Sequence, residues 1–269
     1  MAGRFLKGRK NIYVPIREIG SGGTAQVSLA VELPWGKCRA VKIREKESAS
    51  GLGTLEAEAR LLEQLTLSAK EYPALYNIPC YYEYFQDAGK ECLVMEYLQG
   101  ETAGELLRKG KRFHAEEILR MAVELCRILE ALHSQTPPVL YLDLNPDNVF
   151  LKPDGIVVLT DLGAAAAWYW KEEMPEQVMY GTRGFAAPEQ YRGEAGSTAD
   201  IYSLGVLIRQ MWERRTDREK QMEKWMDECL IRCTREMPAD RYQTIREVRL
   251  TLEEMLQFSL AEPLHAKSI

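Results

Sequence analysis

Asp143-Leu144-Asn145-Pro146-Asp147-Asn148 leads into the β-like run Val149–Leu151, a turn at 153–155, and a second run at 156–160 that ends in Asp161-Leu162-Gly163. Two acids and an asparagine therefore stand near the ends of one hairpin. Carboxylate and amide oxygens are the hard ligands that magnesium takes, and a further carboxylate is a base for a hydroxyl proton. Each residue alone is ordinary loop chemistry. Their order and spacing are not.

The residues upstream supply partners for that chemistry. Gly20-Ser21-Gly22-Gly23-Thr24-Ala25-Gln26-Val27 sits between two strand-like runs, 12–19 and 26–32. A Rossmann fingerprint or a Walker A loop leads into a helix, so neither fits. A glycine-rich hairpin lets backbone N–H groups approach phosphate oxygens with no side chain in the way. The next run, 38–43, carries Ala40-Val41-Lys42 towards its end. A lone strand lysine usually faces solvent, but the helical pattern at 53–66 offers this one a partner. Glu58, Leu61, Leu62 and Leu65 fall at i, i+3, i+4 and i+7, which puts Glu58 on the apolar face, with Glu56, Arg60 and Glu63 on the wet one. A carboxylate on the core side is costly unless paired, and Lys42 is its natural partner.

Strand-like runs at 81–85 and 92–97 complete a β-rich first third. After Gly100 helical patterns dominate, at 116–133, 198–212, 219–233 and 244–258. The predicted class is α+β, with two lobes meeting near 96–100. Small ligands favour clefts at such junctions.

Composition narrows the choice. The 269 residues are 46% hydrophobic and 28% charged, enough to fill a core. With 35 basic against 40 acidic residues the net charge is −5, which gives no electrostatic case for nucleic acid as a partner. No run reaches the roughly 18–20 apolar residues of a membrane helix; 162–170 is about half that. The basic lead-in Arg4, Lys7, Arg9 and Lys10 is not followed by the apolar stretch of a signal peptide. Six scattered cysteines form no C-x-x-C pair, and Cys229 and Cys233, four apart in a helical pattern, suit packing. A reducing, cytoplasmic setting with free thiols is expected. The three histidines have no metal-ligand spacing, which argues against zinc and against a Ser-His-Asp hydrolase.

Taken in order, these pieces resemble the eukaryotic-type (Hanks-type) serine/threonine protein kinases, bacterial members included. Met95-Glu96-Tyr97-Leu98, Gly181-Thr182, Ala187-Pro188-Glu189, Asp200 and Arg241 extend the likeness over nearly the whole chain. The resemblance implies a bilobal protein kinase fold across 1–269. It would have an N-lobe at about 10–95, a hinge at 96–100, a C-lobe at about 101–258 and a tail at 259–269. It implies transfer of the γ-phosphate of ATP to Ser/Thr hydroxyls of a protein or peptide substrate, autophosphorylation included, with magnesium or alternatively manganese. Gly20, Ser21, Gly22, Gly23, Thr24 and Ala25 would cover the phosphates. Lys42, held by Glu58, would orient them. Asp161 and Asn148 would hold the metal. Asp143 would align the acceptor hydroxyl and accept its proton, beside Asn145 and Thr182. Adenine would lie between Val27 and Ala40 above and Phe150 below, bonded to the backbone of Glu96 and Leu98, with Met95 as gatekeeper. Arg241 would pair with Glu189.

Four departures accompany the likeness. Ala25 stands where the family usually has a third glycine, and Leu162 replaces the usual phenylalanine. Asn145 replaces a lysine that contacts the γ-phosphate; loss of such a donor typically costs about 3–4 kcal/mol. That opens the alternative of a pseudokinase or weakly active nucleotide-binding scaffold. A small-molecule kinase is disfavoured by the peptide-docking character of 182–189. Tyr141-Leu142-Asp143 replaces His-Arg-Asp, so the basic pocket for a phosphorylated loop is missing. The loop agrees: from Asp161 to Gly181 there is no Ser or Thr, only Tyr169 and Tyr180. Trp168 and Trp170 are expected to pack that loop against the body.

Overall fold

The computed structural model describes residues 5–21, 25–45, 55–170, 181–217 and 220–261. In chain order the elements begin β1 (Leu6–Lys7), β2 (Ile12–Ser21), β3 (Gln26–Leu33), β4 (Lys37–Glu45), α1 (Leu55–Ser68), β5 (Tyr81–Asp87) and β6 (Lys90–Glu96). They continue with β7 (Glu101–Thr102), α2 (Ala103–Arg108), α3 (Ala115–His133), β8 (Val149–Leu151), β9 (Val157–Leu159) and α4 (Gly163–Tyr169). The last three are α5 (Ser197–Trp212), α6 (Lys220–Cys233) and α7 (Ile245–Ala261). Two compact units result, one from residues 1–100 with 160–178 and one from 101–159 with 179–269.

The first unit holds a six-stranded antiparallel sheet in the order β1-β2-β3-β4-β6-β5. Paired residues point to the same side of a sheet and successive ones alternate. Val27 pairs with Lys42, Lys42 with Leu93, and Ala40 with Met95. Val27, Ala40, Lys42 and Met95 therefore share one face. The opposite face closes over Tyr13, Ala30, Val41, Phe85, Cys92 and Val94. Helix α1 packs on β5 and β6. Its Leu61, Leu62 and Leu65 are buried and Glu58 turns inward with them, while Glu56, Arg60 and Glu63 stay exposed. Each such leucine contributes about 1.5–3 kcal/mol by burial. Helix α4 also belongs to this unit: four alanines, the best helix formers, follow Gly163, and Ala165, Ala166 and Ala167 are buried.

In the second unit β7, β8 and β9 form a small antiparallel sheet. Thr102 and Glu105 cap α2 reciprocally: the Glu105 N–H donates to Thr102 Oγ1 (3.0 Å) and the Thr102 N–H to Glu105 Oε2 (2.9 Å). Helix α3 buries Ile118, Ala122, Leu125, Leu129 and Leu132 completely and packs on α5, α7 and β9. Most of α5 is buried, as its apolar faces predict. At Gly205 a Cβ would lie 2.6 Å from the Cys233 Cβ, so glycine sets how closely α5 approaches the end of α6. Arg241 is fully buried yet fully bonded. Its two terminal nitrogens donate to Glu189 at 2.6 and 2.8 Å, and further donors reach the carbonyls of Thr198, Arg235 and Glu236. A buried charge persists only with such complete pairing.

Candidate active site

In the first unit the end of β4 presents Lys42 to two carboxylates. Its Nζ donates to Glu58 at 2.9 and 2.8 Å and to Asp161 Oδ1 at 2.9 Å. Burial alone would favour the neutral amine, but Asp161 and Glu58 outweigh it and hold the Lys42 pKa above the usual lysine range. The Lys42 charge in turn holds Asp161 below the ordinary carboxylate range. For Glu58 burial wins, and its pKa is raised although Lys42 opposes the rise. Both acids also hold the chain that follows: Glu58 accepts the Leu162 N–H, and Asp161 Oδ1 accepts the Gly163 N–H at 3.0 Å. Asp161 adopts φ +57°, a left-handed conformation that costs a non-glycine residue about 1–3 kcal/mol and clusters at functional sites. Gly163 leaves these carboxylates room, since a Cβ there would come within 3.1 Å of Asp161 Oδ1.

Around this group lie the other positions singled out on the first unit. Val27, Ala40 and Met95 share the Lys42 face. Glu96 ends β6 with its N–H donated to the Cys80 carbonyl at 2.9 Å, and Leu98 beyond it is half-buried. Gly20 and Ser21 end β2 opposite Val27 and Gln26, both exposed, and Ala25 is half-buried. Gly22, Gly23 and Thr24 lie outside the described residues, as does Tyr180.

The second unit assembles a different set. Pro146 starts a single 3-10 turn, 146–148, capped by Asn145, whose Oδ1 accepts the Asp147 N–H at 2.9 Å. The Asn145 amide nitrogen donates to the Asp143 carbonyl (3.0 Å), to Asp143 Oδ1 (3.2 Å) and to Thr182 Oγ1 (3.0 Å). Thr182 closes the ring by donating to Asp143 Oδ1 at 2.6 Å. Asn148 Nδ2 donates to the Asp143 carbonyl (2.9 Å) and to Oδ2 (3.1 Å), so both carboxylate oxygens are fixed. Phe150 lies half-buried on β8, paired with Thr102 and Val158.

Behind Asp143 the backbone is pinned. The fully buried Asp200 accepts the N–H groups of Tyr141 (2.9 Å) and Leu142 (2.7 Å), with His133 Nε2 at 2.8 Å. Leu142 has φ +63° and is fully buried, and its carbonyl accepts from Gln190 Nε2 at 2.9 Å. Gly181, at φ +101°, passes so close that a Cβ would sit 2.6 Å from the Leu142 carbonyl oxygen. His133 and Gln190 have no sequence signal of their own beyond the position of Gln190 next to Glu189.

Magnesium takes one or two protein oxygens and completes its shell from phosphate and water. In the first unit Asp161, whose side chain is 47% exposed, carries a carboxylate of that kind, and in the second unit Asn148 carries an amide oxygen. Among the described residues no three His, Cys, Asp or Glu side chains gather to hold a metal unaided, and no helix is long and apolar enough to cross a membrane.

The sequence pattern of the protein kinase domain family matches residues 13–266. The serine/threonine-protein kinase PknA of Mycobacterium tuberculosis is 31% identical over 211 residues, covering 76% of this chain and 47% of PknA. A probable serine/threonine-protein kinase of Clostridium acetobutylicum is 25% identical over 272 residues, covering 92% of this chain and 40% of the relative. The chain thus spans less than half the length of these relatives. Among solved structures, the PknI kinase domain of Mycobacterium tuberculosis superposes with a TM-score of 0.64 at 19% identity, covering 93% of this chain and 98% of that one. At that identity the likeness is one of fold.

Proposed function

The chain belongs to the protein kinase domain family, and on that premise we propose that it transfers the γ-phosphate of ATP to serine or threonine hydroxyls of proteins, itself included. The observation that carries the reading is the closed set around Asp143, in which Asn145, Asn148 and Thr182 aim both carboxylate oxygens. Phosphoryl transfer asks the protein for positioning and charge neutralisation more than for covalent chemistry. Asp143 orients the acceptor hydroxyl and takes its proton. Asn145 fills the lysine's position with a neutral donor that ties Asp143 to Thr182, so the alignment is kept while one positive charge is given up.

Lys42, fixed by Glu58, orients the α- and β-phosphates. The segment 20–25 would cover them, with Val27, Ala40 and Met95 of the first unit and Phe150 of the second as the proposed adenine contacts. Magnesium, or manganese in its place, supplies neutralisation of the phosphate charge when bound, and Asp161 and Asn148 are the residues that would hold it. The proposed setting is the cytoplasm, where ATP is available and the six free thiols stay reduced.

The test is incubation with γ-labelled ATP, with and without magnesium, followed by phosphoamino-acid analysis of the protein and of a generic protein substrate. Magnesium-dependent phosphoserine or phosphothreonine is expected. Mainly phosphotyrosine would refute the acceptor class.

A further inference from the structure

Helix α4 is tied to the Lys42 group at its start and to helix α1 at its end. At its start, Glu58 accepts the Leu162 N–H and Asp161 accepts the Gly163 N–H. At its end, the Trp170 ring lies under the Arg60 guanidinium, 4.0 Å from ring centre to Cζ, and Gln64 Nε2 reaches the Tyr169 hydroxyl at 3.4 Å. Tyr169 and Trp170 brace each other edge to face at 4.9 Å. Arg60 and Gln64 are one turn apart on α1, the helix that carries Glu58. Between the two ends, Ala165, Ala166 and Ala167 are buried. The Trp170 Nε1 is buried with no hydrogen-bond partner among the described residues, so stacking and burial hold that side chain.

This geometry has a chemical counterpart. The stretch from Asp161 to Gly181 has no Ser or Thr to phosphorylate, and the fully buried Leu142 offers a loop phosphate no charge. With no Ser/Thr phosphate available in that stretch, packing is what the described residues offer to keep α1 and Asp161 in register with Lys42. A seven-residue helix is too short to persist alone and forms only where packing supports it. Its presence is thus coupled to the seating of α1.

We propose that α4, clamped to α1 by Trp170 on Arg60, is a built-in substitute for loop phosphorylation, with Trp170 and Arg60 as positioning residues for Lys42, Glu58 and Asp161. The inference rests on the catalytic reading above but extends to nucleotide binding, which can be measured without turnover.

The experiment compares phosphatase-treated wild type, its loop shown to be phosphate-free by mass spectrometry, with Trp170→Ala, Trp170→Phe and Arg60→Ala. Arg60 lies on the exposed side of α1, so its loss does not threaten folding. Expected are an active unphosphorylated wild type, a kcat at least tenfold lower in Trp170→Ala and Arg60→Ala with the KM for protein substrate unchanged, and recovery in Trp170→Phe, which keeps a ring face. The double variant should be no worse than either single one. Calorimetric affinity for magnesium-ADP should weaken at least fivefold in Trp170→Ala. Turnover within twofold of wild type in both single variants, or independent and multiplying losses, would overturn the proposal. If wild type transfers no phosphate, the catalytic reading fails separately, and the ADP affinity alone decides: unchanged affinity sinks the role of α4, and weakened affinity upholds it.

Discussion

Glu58 carries the group's sensitivity to pH. Burial raises its pKa although Lys42 opposes the rise, whereas Asp161 is held low by the same lysine. The two acids therefore act in opposite directions on stability. Asp161 contributes stability above its unfolded value of about 3.9, and this is lost as pH falls through its lower folded pKa. Glu58 ionised costs stability above its raised pKa and returns it on protonation. For activity only the ionised form grips Lys42, so turnover should fall with acid at a pH above the ordinary glutamate value of about 4.3. In Glu58→Gln, kcat/KM should be about 10–100-fold lower at neutral pH, the usual cost of losing a partner that orients a ligand-binding group, and the acid limb should flatten. An acid limb unchanged in the variant would contradict this. The Lys42–Glu58 pair was legible because an inward carboxylate must find a cation, and Lys42 is the one lysine within the strand-like runs read from the sequence. The pinning of the Asp143 backbone was not: His133 meets Asp200 across 67 residues and Gln190 meets Leu142 across 48, separations that local patterns do not encode.

Among the elements, long helices and paired strands follow from periodicity, because burial of one face decides them. Helices α2 and α4, of six and seven residues, are shorter than the 11–18-residue window in which a helical period can be counted. The first has a readable signal in Thr102 and Glu105. The second exists because α1 receives its alanines. Packing likewise overrides propensity at Gly205. In an open helix interior, alanine is better than glycine by about 1 kcal/mol. Here the added Cβ would meet the Cys233 Cβ at 2.6 Å and force α5 and α6 apart. Gly205→Ala should therefore destabilise the protein by about 1–3 kcal/mol, the range for overpacked cores, as read by denaturant unfolding. A more stable variant would show that α5 and α6 are not in close contact there.

At the scale of the whole chain, the two units carry complementary chemistry. The first bears the cationic lysine and its acids, proposed here for phosphates and metal; the second bears the aimed carboxylate, proposed for a hydroxyl. The ordered residues of both were legible as a likeness to the protein kinases. The consequence of having Asn145 in place of the family's lysine was not, since only folding brings Asn145 between Asp143 and Thr182. The proposed transfer turns on Asp143 being so aimed. The direct measurement is label transfer from γ-labelled ATP by wild type and by Asp143→Asn, with magnesium-ATP affinity checked in both. Equal nucleotide affinity is expected, with a transfer rate at least 100-fold lower in the variant, in keeping with the contribution of a positioned base. Equal labelling by the two proteins would contradict it.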